Sequence, residues 1–209
     1  MDIKYVEMTK KDHKDIKRLI TEAWFSDYPF KQKYIKLYAS GYLNMYLSES
    51  DYKIVAKDGD KIVGFIFGNL NKAPLKQRII SKTKLFFYAI YMLFSYPGRR
   101  GLKITQITNR VNKELLKPFK KELKNELILF IVDENYRGKG IGTQLEKMYT
   151  DFLKENKVQK MFLFTDTYSN FEYYEQRGYE RKGSLPVDFK TKHEEIDPVS
   201  EYYIYIKEL

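Results

Sequence analysis

Two acids, two cations and three glycines crowd into one short stretch of the chain: Asp133, Glu134, Arg137, Gly138, Lys139, Gly140 and Gly142. The apolar run Leu127, Ile128, Leu129, Phe130, Ile131 and Val132 leads into it, and an amphipathic helical pattern follows it. A strand, a glycine-rich basic turn and a helix start make a concave row of backbone N–H groups that suits an anion. Glycine lets a bulky group approach the backbone closely. Arg137 and Lys139 add positive charge to that bed, their plainer reading being two solvated surface cations.

Other chemistries are excluded by composition. There is no cysteine, which removes disulfides, thiolate catalysis and Cys-type zinc sites. Only His13 and His193 are present, so a His-rich metal centre is not expected. Both are read as surface residues. Two glycine motifs also fail. The spacing of a P-loop is missing, and Gly138, Gly140 and Gly142 run G-x-G-x-G with Thr143 next, not G-x-G-x-x-G.

The elements that must position this turn follow from periodicity. Residues 3–8 alternate weakly as a first strand. Thr9 is placed to cap a helix carrying Ile16, Leu19, Ile20 and Trp24, which Asp27, Tyr28 and Pro29 break. A second helix over residues 31–47 has an aromatic face of Tyr34, Tyr38, Tyr42 and Tyr46, read as core. Residues 52–57 and 61–70 are strands joined by Asp58-Gly59-Asp60, a hairpin signal. Gly64 and Gly68 in the second of them predict a bulge or a close backbone approach.

Residues 72–124 are helical and basic, with a break at Pro97-Gly98-Arg99-Arg100-Gly101. They form an elaboration between the third and fourth strands. It can shape an acceptor pocket, pack on another subunit or rest on a membrane surface, with packing inside the domain preferred. Residues 127–132 and 160–165 have the composition of buried strands. The helix between them, with Ile141, Leu145, Met148, Phe152 and Leu153 on one face, implies parallel pairing. A short helix over residues 171–177 ends at Gly178, and residues 179–182 and 201–207 are final strands, read as antiparallel.

The 209 residues fit one domain spanning 1–209, with 43% hydrophobic residues to fill a core. The net charge of +10 suits an anionic partner: a phosphorylated cofactor, nucleic acid or an acidic membrane. The longest apolar run, residues 85–94, is too short to span a bilayer, and the charged N-terminus lacks a signal core; a cytoplasmic protein is expected.

Arg137, Gly140 and Gly142 satisfy Arg/Gln-x-x-Gly-x-Gly/Ala, which resembles the acyl-CoA signature of the GCN5-related N-acetyltransferase (GNAT) superfamily. Asn170 and Tyr173-Tyr174-Glu175-Gln176-Arg177-Gly178-Tyr179 resemble that family's second motif, although Asn170 stands closer to Tyr174 than in many relatives. One helix and one strand separate the motifs, as in the family. The resemblance covers nearly all of the chain except residues 72–124. It implies a mixed α/β GNAT-like acyl-CoA N-acyltransferase fold with a helical insertion between the third and fourth strands.

The same resemblance implies acetyl transfer from acetyl-CoA to an amine. The cofactor-binding set becomes Ile131 and Val132 on a splayed strand, Arg137, Gly138, Lys139, Gly140, Ile141, Gly142 and Thr143 around the phosphates, and Asn170 on the pantetheine arm. A backbone N–H near Val132 would stabilise the oxyanion. Tyr174 is the general acid for the departing thiolate, since phenol and thiol have similar proton affinities; the plainer reading is a packed ring. Tyr173 and Tyr179 are read as core. Glu126 is a candidate base acting through water, a solvated strand-end carboxylate being the plainer reading. Asp133 and Glu134 shape the turn. No metal is expected.

The acceptor, a small-molecule or protein amine, has no signature, and the positive charge disfavours polycations. Two other classes compete: a non-catalytic acyl-CoA sensor or scaffold, and a nucleic-acid binder. The second lacks any recognised motif beside the basic cluster Lys117, Lys120, Lys121 and Lys124 and is not expected. A homodimer is an open option.

Overall fold

The computed structural model describes residues 2–26, 31–189 and 199–209. In chain order the elements are β1 (Ile3–Glu7), α1 (His13–Phe25), α2 (Gln32–Leu47), β2 (Tyr52–Asp58), β3 (Lys61–Gly68), α3 (Leu75–Leu93), α4 (Tyr96–Leu116), β4 (Leu127–Val132), α5 (Ile141–Glu155), β5 (Lys160–Asp166), α6 (Glu172–Glu175), β6 (Glu180–Asp188) and β7 (Val199–Glu208). The strands make two sheets. One runs β1-β2-β3-β4 and the other β5-β7-β6, with antiparallel pairing throughout each. The fold is a mixed α/β one.

Three apolar clusters set the layers. Ile16, Leu19 and Ile20 of α1 and Ile35 and Leu43 of α2 pack on Phe65, Phe67, Leu129 and Ile131 of the first sheet. On its opposite face α5 lays Ile141, Leu145, Tyr149 and Leu153 against Val63 and Ile66, and against Met161, Leu163 and Tyr205 of the second sheet. α5 therefore spans both sheets. The end of α4 and the segment after it close the other side of the second sheet, with Leu115 and Leu123 on Phe162, Ile204 and Ile206.

The expected parallel pairing across α5 survives at one point. Glu126 bridges Phe162 in the parallel sense, and the Phe162 N–H donates to the Asn125 carbonyl at 3.0 Å. Beyond that point β4 and β5 belong to different sheets. A bulge in β4 accompanies the parting. Gly68 is opposite Leu127 and Phe67 is opposite Leu129, so Ile128 is the extra residue. Ile128 and Leu129 consequently pack on the same α1–α2 side, while Leu127 and Phe130 pack on the α5 side.

Gly68 meets its expectation on both counts, since a Cβ there would lie 2.2 Å from the Tyr149 ring. The hydroxyl of Tyr149 accepts from the Asn69 N–H at 3.0 Å and lies 2.9 Å from the carbonyls of Asn69 and Glu126. That contact ties α5 to the point where the sheets meet. Asn125 adds to it by donating to the Leu70 carbonyl at 3.1 Å.

Several expectations need correction. Pro97 to Gly101 is not a break. The chain turns at Phe94 and Ser95, Ser95 caps α4 by accepting from the Gly98 N–H at 3.1 Å, and Pro97 sits in the first turn, where its missing N–H costs nothing. The glycines serve close packing instead: a Cβ on Gly98 would lie 2.2 Å from the Met92 carbonyl oxygen, and one on Gly101 2.4 Å from the Tyr38 ring. The strand expected over residues 179–182 is longer, Glu180–Asp188, because it pairs along much of β7. Thr9 starts a 3-10 turn over Lys10–Asp12 before α1 begins. The break expected at Asp27, Tyr28 and Pro29, and His193, lie outside the described residues.

Candidate active site

Among the described residues, the parting of β4 from β5 leaves one edge of β4 without a strand beside it. The Asp133 N–H donates to the Val63 carbonyl at 2.9 Å, and Ile131 pairs with Phe65 in the same register. In an antiparallel ladder the groups alternate, so the N–H groups of Phe130 and Val132 face away from β3, into the gap. The Val132 backbone is thus turned into the gap. Ile131 is not: its backbone faces β3, and its side chain is buried in the α1–α2 core. The sequence reading missed Phe130, whose backbone shares the orientation of Val132; strand alternation from Val132 would have found it.

At the open end of the gap the chain turns through a 3-10 turn, Glu134–Tyr136, into α5. Asp133 caps that turn by accepting from the Asn135 N–H at 3.1 Å. It is buried and meets Lys61 at 3.0 Å and Arg18 at 3.5 Å. Burial pushes its carboxyl up, but Lys61 and the Asn135 donors outweigh this and hold it below the usual range. Asp133 is therefore a charged anchor of the turn, as the sequence suggested.

Gly138 and Gly140 have φ of +74° and +77°, the left-handed region that a side chain disfavours, and Gly140 is the N-cap of α5. A Cβ on Gly142 would sit 3.2 Å from the Phe130 ring, which makes the first turn of α5 hug β4. Arg137, Lys139 and Thr143 are exposed at this end. Lys139 donates to the Asn135 carbonyl at 2.9 Å and lies 4.6 Å over the Tyr136 ring. Ile141 is buried, with its side chain in the core beneath the turn. The residues present fit an anion: a helix N-terminus, two left-handed glycines and exposed cations.

Tyr173 and Tyr174 come from α6, which is shorter than expected. Gly178, at φ +76°, ends the segment, with the Tyr179 N–H donating to the Tyr174 carbonyl at 3.1 Å. Tyr173 crosses to β4, its ring 5.6 Å from Phe130. Tyr174 is half-buried, with Tyr173 and Tyr179 edge-on at 5.5 Å each and Tyr205 at 6.2 Å. Burial, then the charge of Glu146, push its phenol well above the usual range. Asn170 is exposed just before α6.

Glu146 was missed. It is buried on α5, where it meets Lys207 at 2.8 Å, Arg177 at 3.4 Å and the Tyr173 hydroxyl at 3.3 Å. Arg177 also donates to Thr143. This ion network fastens the Tyr174 segment to the first turns of α5. Its signal was a carboxylate next to Leu145 on the buried side of the helix.

Glu126 is half-buried beside the strand junction, not solvated. Burial, and secondarily the charge of Glu49, raise its carboxyl from 4.5 to about 8. Its charge in turn acts on Tyr46 and Tyr149. Tyr174 and Glu126 thus sit in separate clusters, and among the described residues no hydrogen bond joins them. A further cavity of about 280 Å³ lies between α2, α3 and α4, walled by Tyr38, Tyr42, Leu85 and Met92. No group of His, Cys, Asp and Glu able to hold a metal occurs among the described residues.

Residues 14–179 match the family model described as the acetyltransferase (GNAT) family. The chain belongs to this family. Solved structures share its fold over their whole length. PH1933 from Pyrococcus horikoshii OT3 is 20% identical with a TM-score of 0.62, covering 100% of this chain and 99% of that one. The PaiA N-acetyltransferase from Thermoplasma acidophilum, solved in complex with coenzyme A, is 12% identical with a TM-score of 0.54 and covers 100% of both chains. The ribosomal-protein-S18-alanine N-acetyltransferase from Escherichia coli is 12% identical with a TM-score of 0.53, covering 99% of this chain and 94% of that one. No curated protein sequence matches the chain.

Proposed function

We propose that this protein is an N-acetyltransferase that moves the acetyl group of acetyl-CoA to a primary amine. The observation that carries the reading is the gap between β4 and β5, which has strand N–H groups turned toward it and the Gly138–Gly142 bed at its open end. The phosphates of CoA fit the bed, held by its N–H groups, Arg137 and Lys139. Thr143 in the first turn of α5 and Asn170 just before α6 are assigned to the same cleft. The pantetheine arm fits along the Phe130–Val132 edge.

The bound thioester supplies an activated carbonyl. Glu126 takes a proton from the attacking amine through water; at about 8 its carboxylate is a stronger base than a solvated one. The N–H of Val132 meets the charge that develops on the carbonyl oxygen. Tyr174 then gives its proton to the departing sulfur. The phenol is protonated at neutral pH, as an acid requires, and its raised proton affinity makes it a weaker donor than a solvated phenol, so the transfer draws on the basicity of the departing thiolate.

The test is calorimetry with acetyl-CoA, followed by a screen of amines with CoA release as the readout. Binding in the micromolar range is expected. Tyr174→Phe should lower kcat by about a hundredfold and leave acetyl-CoA affinity nearly intact. No binding at millimolar acetyl-CoA overturns the whole reading, and an unchanged kcat removes Tyr174 from it.

A further inference from the structure

Helix α3 turns its most apolar side away from the protein. Ser81 and Met92 are buried on its inner side, and Leu85 and Tyr88 line the cavity against α2. At 100° per residue, Ile79, Phe86, Ile90 and Leu93 share one outer stripe, with Phe87 and Tyr91 beside it. Phe86 is 62% and Phe87 64% exposed, and Phe94, just past the helix, is 83% exposed. A face of this size on a water-soluble surface marks a docking site.

Charge identifies the occupant. Every charged residue from Lys61 to Lys113 is a Lys or Arg, a stretch that contains all of α3 and most of α4. Lys82 and Lys84 stand at the two borders of the outer arc, and Lys76 lies within it. Glu49, in the turn after α2, is an acid close enough to feel the charge of Lys82. A second copy placed on this face would set cations against cations. Among the described residues no helix is long and apolar enough to cross a membrane. An apolar stripe flanked by lysines is instead the pattern of a helix lying in the surface of a bilayer, with its rings among the acyl chains and its ammonium groups at anionic headgroups.

We propose that the outer face of α3 docks the protein on an anionic lipid surface. The face lies apart from the Gly138–Gly142 bed and from Tyr174, so the docking does not depend on the acetyl-transfer reading.

The experiment is sedimentation of the full chain with vesicles of phosphatidylcholine alone, or of phosphatidylcholine mixed with phosphatidylglycerol. The protein should pellet with the mixed vesicles and stay in solution with the neutral ones, and added salt should weaken the binding. Phe86→Ser with Phe87→Ser should lower partitioning at least about tenfold. Lys82→Gln and Lys84→Gln should each lower it about fivefold. Phe94→Ser, outside the helix, gives a third variant that leaves α3 intact. Equal melting temperatures of the variants establish that they fold. No pelleting with mixed vesicles overturns the proposal, as does pelleting that the Phe variants do not reduce. A lipid-free dimer in light scattering that Phe86→Ser dissociates also overturns it, by giving the face to a second copy.

Discussion

Helices α5 and α3 point their apolar surface in opposite directions, although α3 is the more apolar of the two. α5 follows a strand, lies across two sheets and buries Leu145, Tyr149 and Leu153 completely. α3 packs against helices, and its phenylalanines face solvent. The difference teaches that apolar content fixes how much surface a helix must cover, while the neighbours fix which side is covered. A sheet offers a broad flat face that takes a whole stripe. The narrow ridge of α2 takes only the side bearing Ser81, Leu85 and Met92.

The largest effect expected from this contrast is at Leu145. Its side chain is 0% exposed, so Leu145→Ala removes buried methyl groups and leaves a cavity between the sheets. A loss of about 3 kcal/mol in urea unfolding is expected. A loss under about 1 kcal/mol would mean that α5 is not the helix that holds the two sheets together.

How much of this was legible in the sequence depends on the range of the interactions involved. The hairpin at Asp58-Gly59-Asp60, the strand-turn-helix at Gly138–Gly142 and the end of α6 at Gly178 are local, and the residue types alone reported them. Glu146 showed only as a carboxylate on the buried side of α5; its network was not legible, because the partners Lys207, Arg177 and Tyr173 come from β7 and from around α6, far along the chain. The bulge that accompanies the parting of β4 and β5 rests on an extra residue, Ile128, that looks like any other in a run of apolar ones. The opposite backbone orientations of Ile131 and Phe130 were hidden for a related reason, since a run without polar residues does not show which edge of the strand faces β3. The glycines at Gly98 and Gly101 read as a break because close packing against Met92 and Tyr38 leaves no trace in local sequence.

A second effect concerns the site that α5 helps to fix through Tyr149 and the Glu126 carbonyl. The Glu126 carboxyl is raised in the folded protein, from 4.5 to about 8. The folded state therefore holds a proton that the unfolded chain gives up between those values. Stability from this group is full below pH 4.5 and is lost as pH rises toward 8 and beyond. Glu126→Gln should remove that loss. The difference in melting temperature, wild type minus variant, should fall between pH 5 and about pH 9. The rise of kcat/KM near pH 8 that a base of this kind gives should flatten in the same variant. A difference in melting that is constant with pH would place the carboxylate in solvent.

The smallest effect expected is the one that separates the two helices most sharply. Phe86 is a larger apolar residue than Leu145, and by size alone its loss would cost more. It is 62% exposed, however, and most of its ring meets water in the isolated protein. Phe86→Ala removes little burial and opens no cavity, and it places a better helix former on an outer position. The change in unfolding free energy should stay within about 0.5 kcal/mol, the range of surface substitutions. A cost near that of Leu145→Ala would require Phe86 to be buried in solution, and the contrast between α3 and α5 would then collapse. With stability unchanged, any loss of vesicle binding in a Phe86 variant reports the outer face alone.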